Sequence, residues 1–210
     1  MEPGDTGVTR AGAFAGHIEP GNSPALLLVD MVQAYLQADS PLYCDTAAAA
    51  LNCALKLLGA ARSGGRPVVF TNVVYAPGGT DGGIFYKKVP ALKVFERGSP
   101  LGDFPPTLRP SPEELVVTKQ YPSAFFKTGL DRWLAERGVD TLVIAGFSTS
   151  GCVRASGLDA LQYGFAPFIV REACADRQAE THEANLSDLQ AKYAEVCTPE
   201  FALSILNSDA

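Results

Sequence analysis

Residues 141–163 read TLVIAGFSTSGCVRASGLDALQY, and the character of the chain changes inside them. TLVIAG is a short apolar run without a charged break, the pattern of a strand buried on both faces of a sheet. Gly146 and Gly151 loosen the turn that follows, and a helix opens near Cys152 and runs to Gly164. Working outward, ALLLVD (Ala25 to Asp30), PVVFTNVVY, LVVTK (ending at Lys119) and FAPFIVRE repeat the buried-strand pattern. Helical stretches lie between them, from about Thr46 to Arg62 (stopped by Gly64-Gly65), from Thr128 to Arg137 and, as the last element, from Glu180 to Tyr193. Alternating helices and uniformly apolar strands predict an α/β fold, a three-layer αβα sandwich around a mostly parallel sheet. Residues Ala76 to Pro112 carry many Gly and Pro and little periodicity, and read as one long functional loop.

A chain of 210 residues has room for one ordinary domain, taken as residues 23–210 and preceded by a Gly-rich arm, residues 1–22, either mobile or docked on a neighbour. Seventeen Lys and Arg against 23 Asp and Glu leave a net charge of -6, which argues against nucleic acid as a partner. No apolar run approaches the roughly 18 residues of a membrane span, and the first residues have neither the basic start nor the apolar segment of a secretory signal. The five cysteines are odd in number and form no CxxC pair, which fits reduced thiols in the cytoplasm better than a disulfide framework.

In a parallel sheet the ligand site lies outside the carboxyl ends of the strands. Three strands end there in a reactive residue: Asp30 after LLLV, Lys119 after LVVT, and Cys152 shortly after TLVIAG. Singly, each has an ordinary explanation: a turn-forming acid, a solvated amine, a small core thiol. Acid, amine and thiol at one edge of one sheet are a candidate catalytic set. A helix starting at Cys152 would aim free N–H groups at its sulfur, and these together with Lys119 would favour the thiolate. The same N–H groups suit an oxyanion. Cys44, Cys53, Cys174 and Cys197 are assigned to packing.

Rival constellations fail. GFSTS lacks the closing glycine of the serine-hydrolase elbow. The histidines are His17, in the arm, and His182, at the start of the last helix, where a surface or capping role is expected. A zinc cluster lacks ligands, and neither GxGxxG nor a Walker motif is present, so no metal and no cofactor are expected.

ALLLVD, VTKQYPSAFFKT, STSGCVRAS, and VREACADR followed by HEANLSDLQAKY together resemble the isochorismatase-like cysteine hydrolases, over roughly Pro24 to the last helix. SxSGCVRA with the downstream DR and HEANL is similar to the subgroup of N-carbamoylsarcosine and maleamate amidases, and TNVVYAPGGTDGGIFYKKVPALKVF looks like the former. The resemblance implies a triad of Asp30, Lys119 and Cys152, with the backbone N–H groups of Ser148 and Cys152 as the oxyanion hole. It further implies a cis peptide between Phe147 and Ser148, an arginine (Arg177) that holds the substrate carboxylate, and Thr149 in the same pocket. Nicotinamidases of this family carry a metal site after the second strand; here the segment VVYAPGGTDGG has no histidine. Ala175, where glycine is common, and Ser187, where phenylalanine is common, depart from the pattern.

The implied activity is hydrolysis of a terminal amide or ureido C–N bond in a small anionic substrate through a thioester, with release of ammonia. N-Carbamoylsarcosine is the first substrate expected and maleamate the alternative; a non-catalytic binding module of the same fold is the competing reading. Members of the family are commonly homo-oligomers, so a dimer or tetramer is expected.

Overall fold

Every residue of the first strand, β1 (Pro24–Val29), is buried, because β1 lies in the middle of the sheet with helices over both faces. The computed structural model describes residues 16–208. Within them the strands are β1, β2 (Val68–Val73), β3 (Leu115–Lys119), β4 (Thr141–Phe147), β5 (Ala166–Ala175) and β6 (Glu195–Cys197). They form one six-stranded sheet in the order β3-β2-β1-β4-β5-β6, and each neighbouring pair is parallel. The helices are α1 (Ala47–Ser63), α2 (Gly83–Lys88), α3 (Leu130–Ala135), α4 (Arg154–Gln162), α5 (Ala179–Lys192) and α6 (Pro199–Asn207).

The period of two along each strand sorts its side chains between two cores. Leu26 and Leu28 of β1 pack with Phe70, Ala145 and Phe168 under α1 and α6, which contribute Leu57, Leu58, Ile205 and Leu206. Ala25, Leu27 and Val29 pack on the other side with Ile144, under Leu134 of α3, Ala160 of α4 and Leu186 and Leu189 of α5. This is the three-layer sandwich that the alternation predicts. The chain winds outward from β1 to β3, then returns to β4 beside β1 and winds the other way. The carboxyl ends of β1 and β4 therefore flank the topological switch point, where such sheets open a crevice.

Gly146 permits that junction. Its φ of 148° and its contact with β1 leave no room for a side chain, since a Cβ there would sit 2.1 Å from the Val29 carbonyl oxygen. The pairing of β4 with β5 shifts register at the same place, between Ile144 and Gly146, and carries β5 on to Ala175, three residues beyond the predicted strand.

Three expectations need correction. The stretch from Ala76 to Pro112 contains α2 and tight turns at Pro77–Gly79, Pro90–Phe95 and Pro100–Gly102. Tyr86, Leu92, Phe95 and Leu108 from it join the α1-side core. Its apolar residues come in runs too short, between prolines and glycines, to show a period. The helix predicted over Thr128 to Arg137 is only Leu130–Ala135, because Gly129 before it has φ 77° and Glu136 closes it. The helix ending near Tyr193 is not the last element: β6 and α6 follow, and Thr198 caps α6 by accepting from Phe201 N–H, with Pro199 in its first turn. Thr-Pro ahead of FALSIL is a helix-start signal that the sequence reading passed over.

Residues 1–15 of the expected arm lie outside the described residues. Residues 18–23 run along the amino ends of the strands, where Ile18 N–H donates to Glu195 Oε1 (2.8 Å), Gly21 N–H to Thr141 Oγ1 (2.8 Å) and Ser23 N–H to Asp140 Oδ1 (3.1 Å). This stretch is fastened at the edge of the sheet opposite the switch point.

Candidate active site

β1 delivers Asp30 to the switch point in a left-handed conformation (φ 49°), which an aspartate tolerates better than most residues. β3, two strands away, ends in Lys119, and its long side chain covers that distance buried along its whole length. Lys119 Nζ donates to Asp30 Oδ2 at 2.7 Å and to the Tyr121 carbonyl at 3.2 Å. The other carboxylate oxygen, Oδ1, accepts from Thr71 Oγ1 at 2.5 Å, and Thr71 Oγ1 in turn accepts from Asp30 N–H at 3.1 Å. Thr71 of β2 is a partner of Asp30 that the sequence reading missed. Its signal was a hydroxyl inside the otherwise apolar VVFTNVV, where a buried polar group needs a partner.

Cys152 completes the group from β4. The helix it belongs to opens on a five-residue π turn, Thr149–Val153, ahead of α4, and the Phe147–Ser148 peptide is cis. Asp30, Lys119 and Cys152, placed by sequence at three strand ends, thus converge on one buried point. The expected thiolate does not follow from this geometry. Burial pushes the Cys152 thiol up to about 12; Lys119 pulls it down, Asp30 pushes it up again, and burial dominates. Burial thus opposes a free thiolate, and Lys119 works against burial. For Lys119 burial works against the charge, but Asp30 and then Cys152 more than offset it, so the ammonium is held above its usual range.

The turn before Cys152 is tied down from several sides. Gly151 and Val153 N–H both reach the Ser148 carbonyl, at 3.1 and 3.2 Å. Ser150 N–H donates to Asp176 Oδ2 at 2.7 Å. Beyond Cys152, Ser156 Oγ of α4 accepts from Ala124 N–H (3.0 Å), and Asp159 accepts from Ser123 Oγ (2.5 Å). These bonds join the helix that follows Cys152 to the segment YPSAFFKT after Lys119.

Thr149 is wholly buried, and its Oγ1 lies 2.8 Å from His182 Nδ1. His182 corrects the expected surface or capping role. It stands in the first turn of α5, half-buried, and burial lowers its pKa below 6.5, so the ring is neutral at pH 7. With Arg177, Asp176, Thr46 and Arg171 it lines a cleft of about 420 Å³. Arg177 sits on the exposed rim of this cleft, and none of Asp30, Lys119 and Cys152 lines it. Burial raises the Tyr35 phenol well above 10; Cys152 and Asp30 push it further up, and Arg177 pulls it down. In the segment after β2, Asp81 Oδ1 accepts from Ala76 N–H at 2.9 Å. No cluster of three or more His, Cys, Asp or Glu suited to a metal occurs among the described residues.

The Isochorismatase domain model matches residues 24–200, most of the chain. The chain belongs to the isochorismatase family. Maleamate amidohydrolase from Pseudomonas putida is 44% identical over 196 residues, covering 93% of this chain and 92% of that protein. N-carbamoylsarcosine amidase from an Arthrobacter species is 30% identical over 208 residues, covering 97% of this chain and 78% of that protein. Among solved structures, a cysteine hydrolase from Pseudomonas syringae superposes with a TM-score of 0.83 at 23% identity, covering 90% of this chain and 94% of that one. With these relatives the family member described here is an amidohydrolase, a hydrolase of C–N amide bonds. No helix among its described residues is long and apolar enough to cross a membrane.

Proposed function

We propose that this chain hydrolyses the terminal amide of a short carboxylate, maleamate first among the candidates, with Cys152 as nucleophile and Asp30 as the proton carrier. The observation that carries the proposal is the meeting of Asp30, Lys119 and Cys152 at the switch point, with the carboxylate gripped on both oxygens. With burial opposing a free thiolate, proton transfer and attack are proposed as one step: Asp30 takes the proton as sulfur bonds to the amide carbon. Lys119 keeps its positive charge and stabilises the carboxylate beforehand and the sulfur anion as it forms. The carbonyl oxygen becomes an oxyanion facing the N–H groups of Ser148 and Cys152, which are not among the three amides already engaged in the turn.

Collapse of the tetrahedral intermediate breaks the C–N bond, and Asp30 returns its proton to the leaving nitrogen, so ammonia departs and a thioester remains. Water then attacks the thioester, giving one proton to Asp30; the C–S bond breaks, the proton returns to sulfur, and the acid is released. Arg177 is the proposed holder of the substrate carboxylate, with Thr149 beside it, which gives an acidic protein a local positive charge for an anionic ligand. The likeness to the maleamate enzyme over nearly its full length supports maleamate. N-Carbamoylsarcosine is the second reading, supported by the segment TNVVYAPGGTDGG and by the 30% relative. Reduced free thiols at all five cysteines support a cytoplasmic location. Assembly into a homodimer or homotetramer is proposed on the exposed Ile84 and Phe126, at 83% and 46% accessibility.

Ammonia release from maleamate, N-carbamoylsarcosine and uncharged amides tests the assignment. The wild type releases ammonia from a carboxylated amide, and Cys152→Ala, which removes only the sulfur from a pre-formed fold, releases none. Turnover by Cys152→Ala at the wild-type rate refutes the nucleophile.

A further inference from the structure

Asp176 stands at the end of β5 with 5% of its surface accessible, and no ion pair reaches its carboxylate among the described residues. A buried carboxylate without a cation is costly unless hydrogen bonds satisfy it. An aspartate after a strand commonly forms a turn with its own loop, and the bond from Arg177 N–H to Oδ1 (2.9 Å) is of that local kind. The second bond is not. Oδ2 crosses 26 residues of sequence to accept from Ser150 N–H at 2.7 Å, inside the turn that carries Cys152. The backbone carbonyl of Asp176 accepts in addition from the Cys44 thiol at 3.0 Å, which fixes the aspartate from the α1 side.

Ser150 lies between Ser148 and Cys152, the two residues whose amides the proposed mechanism aims at the oxyanion. A peptide plane cannot turn without moving its neighbours, so the direction of the Ser150 N–H constrains the directions of those two amides. Through its other oxygen the same carboxylate fixes the backbone of Arg177. We infer that Asp176 is a positioning residue: through the two amides its carboxylate holds, it sets the Ser148–Cys152 turn in register for oxyanion stabilisation and ties that turn to the Arg177 backbone. This rests on the amidase reading above. It adds a residue to the machinery, and it explains why the acid of the ADR segment is buried while the arginine is exposed.

The test is steady-state ammonia release combined with titration of active sites by the thioester burst. Asp176→Asn keeps the shape but sets an NH2 against one of the two amide donors, so one of the two bonds is lost. Misaligning an oxyanion donor is expected to lower kcat per titrated active site roughly ten- to hundredfold, with KM changed less than about threefold. A merely structural role lowers the number of titratable sites and leaves kcat per site unchanged. Asp176→Glu, which keeps the charge and moves it by one methylene, gives the same readout if the asparagine variant does not fold. Wild-type kcat per site in a folded Asp176→Asn or Asp176→Glu protein overturns the inference while leaving the amidase reading intact. A wild-type protein that releases no ammonia from any amide, and forms no thioester, overturns the amidase reading itself.

Discussion

Breaking the Asp30–Lys119 pair is expected to cost far more than the pair is worth. Both residues have about 1% of their surface accessible, and Nζ lies 2.7 Å from Oδ2. At that separation and an effective dielectric of about 20, the attraction is about 6 kcal/mol. Burying each ion costs several kcal/mol, so the net contribution of the intact pair to folding is close to zero. Removing one member leaves the other charge buried without compensation. Lys119→Met, which fills a similar volume, is therefore expected to destabilise the protein by about 3 to 5 kcal/mol, even though Thr71 still donates to Asp30. The double variant Asp30→Asn/Lys119→Met leaves no unpaired charge and is expected to cost less than Lys119→Met alone. Urea unfolding followed by circular dichroism at pH 7 measures all four corners of the cycle. A loss below about 1 kcal/mol for Lys119→Met, or costs that add in the double variant, would show that the site is wet enough to screen the charges and that the reasoning is wrong.

Stability is expected to fall as pH rises above 9. The thiols of Cys152, Cys174 and Cys197 are each pushed from 9.0 to about 12 by burial, so between those values the unfolded chain loses protons that the folded chain keeps. The three together amount to roughly 4 kcal/mol lost by pH 10, and the raised Lys119 adds to the loss only above its unfolded value of 10.5. Urea midpoints that stay level from pH 7.5 to 10 would contradict this. Arg177→Ala is expected to remove about 2 to 5 kcal/mol of transition-state stabilisation for carboxylated amides and much less for neutral amides of the same size, read from kcat/KM; equal losses on both would make Arg177 structural. Lys127 is an exposed residue at φ 59°, so Lys127→Gly is expected to raise stability by about 1 kcal/mol, less what its contact with the Phe126 ring contributes. An unchanged or lower urea midpoint would show that the contact outweighs the strain.

Local pattern alone carried the sandwich and the three reactive strand ends. Short apolar runs bounded by turn residues and alternating with helical stretches fit strands buried on both faces of a parallel sheet, whose connections are crossover helices. Once ALLLVD, LVVTK and TLVIAG were strands of one parallel sheet, Asp30, Lys119 and Cys152 had to emerge at the same edge. The short elements were not legible in this way. β6 has three residues and α2 six, too few to establish a period, and the core positions of Tyr86, Leu92 and Phe95 depend on what packs over them. The ionisation of Cys152 was beyond local pattern too, because the sequence shows the amine and the helix start but not the burial that outweighs them.

Residues that act through other residues were the least visible. Thr71, His182 and Asp176 look like an ordinary strand threonine, a surface histidine and a turn aspartate until β2, α5 and the end of β5 are brought beside the residues they bond. Their partners lie 41, 33 and 26 residues away along the chain. Which atoms meet across such separations depends on strand order, on the register shift at Gly146 and on helix placement, all of which are properties of packing between elements. The sequence by itself determined the kind of sheet and the chemical groups at its edge, because burial periodicity is local. Only the tertiary structure decided which groups touch, because hydrogen bonds act over about 3 Å and that proximity is created by the fold.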